Sequence, residues 1–196
     1  MNNKWRNLLG IVAIIVLAGI GYFFFSSPAQ EPNFNQTYSN LSSAWINEGL
    51  DQPALHSNFE ELLELPASKL NAIKLNLQQS ITSQSETDSK DLVALYSELI
   101  DIAIISKGIN QKADSLESSS DTLCSLFPEY KELDSQMQEL SDRLLALSQN
   151  VTKFTENYPT QSAEIELFNL GGRVITYKEN MQSQAAVISL LESECE

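Results

Sequence analysis

Residues 126–158, LFPEYKELDSQMQELSDRLLALSQNVTKFTENY, decide the fold. Leu126, Tyr130, Leu133, Met137, Leu140, Leu144, Leu147, Val151, Phe154 and Tyr158 recur in alternating steps of 4 and 3. That spacing places them all on one side of an α-helix, and Glu, Asp, Lys, Ser and Gln fill the positions between, as a solvated outer face requires. Sustained over four heptads, it is the pattern of a helix packed lengthwise on another helix at a shallow angle. Such a helix needs partners, and the flanking sequence supplies them.

Downstream, NYPTQ interrupts the stripe, because Pro159 removes a backbone donor and pushes Tyr158 out of helical geometry. A last helix then carries Leu167, Leu170, Val174, Tyr177, Met181, Ile188, Leu191 and Cys195. So short a break cannot cross the length of a helix, so the last two helices are expected to fold back antiparallel. The midpoint between Cys124 and Cys195 falls within Tyr158–Thr160, at that break. The two cysteines are therefore equally far from the turn and come level at the open end of the hairpin. Adjacent helix ends supply the Cα separation of about 4.4–6.8 Å that a disulfide needs. A Cys124–Cys195 bridge is the expectation; a buried thiol at 124 with a loose one at 195, or an intermolecular link through Cys195, are the rivals. Pro128 cannot bond to the carbonyl of residue 124, so the helix starts near Pro128 or bends there.

Upstream, Leu92, Leu95, Leu99, Ile102, Ile109, Ala113 and Leu116 mark another long helix, with Asp88 or Ser89 as its cap. Ile104 and Ile105 widen its stripe, which makes it the most enclosed of the set. Before it, Leu70, Ile73, Leu77 and Ile81 follow Pro66, a residue suited to a first helical position. Two short helices precede these: one carries Phe34, Tyr38, Leu41 and Trp45, the other Leu55, Phe59, Leu62 and Leu63. The fold class is thus all-α: an antiparallel up-and-down helical bundle with long, coiled-coil-like helices at about 66–86, 88–118, 122–158 and 161–195.

The N-terminus has a different character. From Leu8 to Phe25 no charged or strongly polar residue occurs. These residues span about 27 Å as a helix, near the ~30 Å hydrocarbon thickness of a bilayer. Trp5 and Tyr22 lie near the ends, where amphipathic rings prefer to sit, and Lys4 and Arg6 hold the N-terminus on the cytoplasmic side. The expected organisation is a transmembrane signal-anchor over residues 1–29, membrane-proximal helices over 30–65, and an extracytoplasmic bundle over 66–196. The rival is a cleaved signal peptide ending at the small residues Ser27 to Ala29. Both put the bundle outside the cytoplasm, where an oxidising compartment favours pairing of two cysteines.

Beyond the apolar run, 10 basic residues face 26 acidic ones. So negative a surface repels phosphate backbones and anionic lipid heads, which excludes nucleic acid as a partner and leaves residues 8–25 as the contact with the bilayer. The chain offers little for catalysis. His56 is the only histidine, and no H-E-x-x-H, C-x-x-C, EF-hand or P-loop string occurs. Glu60, Glu61 and Glu64 read as a solvated helix face rather than cation ligands. No catalytic residue, metal or cofactor is therefore expected, and the chain is not read as an enzyme. Gly171-Gly172, expected inside the last helix, calls for a kink or a close approach of the preceding helix near Leu147 and Ser148.

Three N-x-[ST] sequons, at Asn35, Asn40 and Asn150, are possible glycan acceptors, though chance accounts for so short a motif. Phe34, Tyr38 and Trp45 are either core or a docking face near the membrane. The function expected is a structural or protein–protein interaction module of the cell envelope, with an envelope protein as partner. The alternative is a domain that binds or senses a small ligand and signals through a membrane partner.

Overall fold

The structure, a computed structural model, describes residues 33–50, 58–82, 85–117, 124–164 and 170–195. The chain divides into two compact units, Met1–Glu31 and Pro32–Glu196. The first, with the apolar run at residues 8–25, lies outside the described residues. Among the described residues, no helix is long and apolar enough to cross a membrane.

The second unit is a bundle of packed helices, without strands among its described residues: α1 (Phe34–Asn47), α2 (Asn58–Glu64), α3 (Ala67–Gln79), α4 (Thr87–Glu117), α5 (Phe127–Asn157), α6 (Pro159–Glu164) and α7 (Gly171–Cys195). Asn33 caps α1, its side-chain oxygen accepting the Gln36 N–H at 3.0 Å. The other end closes on Gly49, whose φ of 88° is left-handed. The Leu50 and Gly49 N–H groups return to the Trp45 and Ile46 carbonyls, and Leu50 is buried beside them. This is a Schellman stop. Pro66 ends the turn after α2 and leads into α3, one residue outside the helix it was expected to begin. Pro128 sits in the first turn of α5, so that helix starts there instead of bending. Asp88 lies inside the first turn of α4 rather than at its cap, and its carboxylate accepts the Ser89 N–H at 2.6 Å.

α4 is the centre, packed by α1, α2, α3 and α5. Its buried residues, from Leu92 and Val93 through Tyr96, Ile100 and Ala103 to Leu116, point in several directions, as a helix with four neighbours requires. Partners rise along α4 as they fall along α5: Lys112 pairs with Glu132, Glu98 with Arg143, Asp91 with Tyr158. The two therefore run antiparallel, as the stripe of α5 predicts. α2 and α3 pack on the other flank: Lys107 Nζ donates to the Leu63 carbonyl at 2.7 Å, and Lys74 meets Asp101 at 2.6 Å.

α1 is packed into the bundle. Its Phe34 ring stacks on Phe154 of α5 (6.3 Å between centroids), Trp45 meets Tyr96 of α4 edge-on (5.6 Å), and Glu48 at its end pairs with Lys69 of α3. A helix of 14 residues is about 21 Å long, roughly two inter-helix spacings. α1 therefore lies across α5, α4 and α3 and covers one face of that layer.

Two expectations are corrected. The helix expected over 161–195 is two pieces, α6 and α7, with residues 165–169 outside the described set. Gly171 and Gly172 consequently open α7 instead of interrupting it, where glycine is better tolerated and no kink is needed. α7 packs along α5 and makes no comparable contact with α3 or α4 among the described residues, so the long helices form an open row.

Candidate functional site

On α4, Tyr96 carries α1, whereas Ala94 is two positions away, about 200° round the helix. The uncovered face of the layer is thus the face of Ala94. A groove of about 440 Å³ runs there between α4 and α5. Ala94 and Ala146 open it because they are too small to fill the space between the helices; Leu95, Leu147 and Phe154 make its floor. Asp91 and Glu98 stand on the α4 rim, Asn150, Lys153 and Asn157 on the α5 rim. Seven residues separate Asp91 from Glu98 and Asn150 from Asn157, two turns each, so each pair lies on one side of its helix.

The acidic rim is already engaged. The Tyr158 hydroxyl donates to Asp91 Oδ2 at 2.6 Å. That bond, with some burial and the charges of Asp91 and Asp88, pushes the Tyr158 hydroxyl up to about 12. Arg143 clasps Glu98 with two hydrogen bonds, Nε at 2.8 Å and Nη2 at 3.0 Å. Its guanidinium is held above its ordinary value, chiefly by the hydrogen bond to Glu98, against a smaller opposing effect of burial. Arg143 also comes within 3.9 Å of Asp101, which binds Lys74. Glu98, Arg143, Asp101 and Lys74 thereby form a chain of alternating charge across α5, α4 and α3, each side chain between 25% and 34% exposed. The α5 rim is different: among the described residues the side chains of Asn150, Lys153 and Asn157 make no hydrogen bond or ion pair.

Cys124 and Cys195 lie at disulfide distance with Cα atoms 5.2 Å apart. The levelling about Pro159 therefore places both sulfurs correctly, even though α6 intervenes after the break. Lys131 of α5 pairs with Glu192 of α7 on the same register.

The remaining candidates separate cleanly. Phe34 and Trp45 are buried and Tyr38 packs against the core, so the aromatic stripe is interior and not a free docking face. Asn35, Asn40 and Asn150 are all exposed, the first two on α1 and the third on the groove rim. Thr37, which completes the first sequon, is fully buried. His56 lies outside the described residues. Among the described residues, no group of His, Cys, Asp and Glu is arranged to hold a metal ion. The groove itself was missed in the sequence; its signal is the pair of alanines, Ala94 and Ala146, beside otherwise bulky stripes. No protein-family model matches this chain, and no curated protein or solved structure is similar to it.

Proposed function

We propose that the chain is a single-pass membrane protein whose helical domain lies outside the cytoplasm and serves as a protein–protein interaction module of the cell envelope. The apolar run at residues 8–25 supports the tether, and two cysteines at disulfide distance suit an oxidising compartment. The observation that carries the interaction reading is the α4/α5 groove. It is open along one side, is widened by two alanines that let another backbone come close, and combines an apolar floor with a polar rim. Such a furrow suits a helical or extended segment laid into it.

A photo-crosslinking residue placed at Asn150 in intact cells tests this, with the same residue at exposed Asn71 on α3 as control. Reproducible capture of one envelope protein from position 150 and not from 71 supports the reading. Adducts with lipid and self alone count against it. A second reading, a small-ligand domain, is favoured by Asn150, Lys153 and Asn157 on the rim, whose side chains have no partner among the described residues. Native mass spectrometry of the protein taken from its own membranes distinguishes the two, since a retained small molecule lost on Lys153→Ala supports the second.

A further inference from the structure

We infer that α7 is a latch: the Cys124–Cys195 bond, and not side-chain burial, holds its last turns on α5, and a dithiol reductant releases them. Residues 185–195 make about three turns. Among the described side chains there, only Leu191 is buried; Ala185, Ala186, Ser189 and Leu190 are exposed, Leu190 by 59%. Leu191 stands apart from the main hydrophobic core. The Lys131–Glu192 ion pair is solvent-exposed on both sides and contributes little by itself. Halfway along, the α5–α7 contact opens into a crevice of about 280 Å³ between Gln138 and Met181, Gln182 and Ala185. α4, by contrast, carries buried side chains in every part of its length from Asp88 to Leu116. Among the described side chains, one buried leucine, the half-buried Ile188 and a surface ion pair do not match the ordering entropy of three helical turns, so the covalent link decides whether they stay docked.

The link is within reach of a reductant, since Cys124 is exposed and Cys195 half-buried. A thiolate of the dithiol attacks Sγ of Cys124; the S–S bond breaks, a mixed disulfide forms and Cys195 leaves as a thiolate that takes up a proton. The second thiol of the reductant then attacks the mixed disulfide and frees Cys124. Two electrons pass to the bridge, which becomes two thiols, and the dithiol becomes a disulfide. The last turns of α7 then leave α5 and uncover its flank, while the core built on α4 keeps all its buried contacts.

Hydrogen–deuterium exchange of the full-length protein, with and without an excess of dithiothreitol, tests the latch, and alkylation counts the thiols released. On reduction, the amides of 185–195 should exchange on the order of tenfold faster or more, with those of α3 and α4 unchanged. Unchanged protection of 185–195 with both thiols alkylated overturns the inference, because packing then suffices. Loss of protection throughout α4 and α5 also overturns it, because the bridge is then a brace for the whole domain. Cys195→Ser, read in the same assay without reductant, should reproduce the reduced pattern.

Discussion

Trp45 is the sharpest test of the way α1 is placed. Its side chain is fully buried, its ring stands 84° to that of Tyr96, and its indole Nε1 has no hydrogen-bond partner among the described residues. Burying a tryptophan removes roughly 150–250 Å² from water, and the edge-to-face pair adds about 0.5–1.5 kcal/mol. At ~25 cal/mol per Å² the burial amounts to roughly 4–6 kcal/mol, of which Ala retains a part. Trp45→Ala should therefore destabilise by about 3–5 kcal/mol, within the range of aromatic truncations in sealed cores. For a domain of this size that lowers Tm by roughly 6–20 °C. Trp45→Phe should cost less than half as much, because it keeps a ring against Tyr96 and leaves no acceptor unpaired. Thermal unfolding followed by circular dichroism at 222 nm reads both variants without relying on tryptophan fluorescence. A Trp45→Ala protein melting within 2 °C of the parent (below the smallest shift allowed by the ~2 °C per kcal/mol scale) would refute the placement of α1 as part of the core.

The two described helix-terminating and helix-interior glycines should respond with opposite signs. Gly49→Ala should destabilise by roughly 1–2 kcal/mol, since φ is 88° there. Gly108→Ala should stabilise by roughly 0.5–1 kcal/mol, since a β-carbon meets nothing within 4 Å in the middle of α4; equal shifts in Tm would contradict this. A double-mutant cycle on Glu98 and Arg143 should give a coupling of about 0.5–1 kcal/mol that shrinks in 1 M salt. A coupling indifferent to salt would mean that shape, not charge, joins those side chains. Tyr158 keeps its proton in the folded state up to about pH 12, against an ordinary 10.0, so its contribution to stability is whole below pH 10 and lost as pH rises towards 12. Ultraviolet titration of phenolate should show one late-titrating group that Tyr158→Phe removes; an unchanged curve would disprove the Asp91 hydrogen bond.

Much of this architecture is legible in residue spacing. The 4-and-3 stripe from Leu126 to Tyr158 gives α5 and its buried side, and every stripe residue is buried or half-buried. Two cysteines equidistant from Pro159 give the register of the final hairpin. Periodicity names a buried face but not the neighbour that covers it, which is why the crossing of α1 over three helices escapes a linear reading. Phe34 and Trp45 carry the same signature whether they meet a membrane-side partner or Tyr96 and Phe154. The same limit hides the open row. α4 is apolar on several sides, so nothing in its sequence says that α7 stops at α5. The break before Gly171 was misread because Leu167 and Leu170 continue the spacing of the later stripe across it. The groove is fainter still, since it arises from two small residues whose effect depends on the helices beside them.

The bond between positions 124 and 195, 71 residues apart, also governs the chain when nothing else is folded. Without reductant, the denatured polypeptide is a lasso with a long tail and not a free string. It has a smaller hydrodynamic radius and exposes less new surface to urea, so its m-value should be lower than that of the reduced chain. A protease cut inside the noose leaves one molecule by mass until a thiol is added.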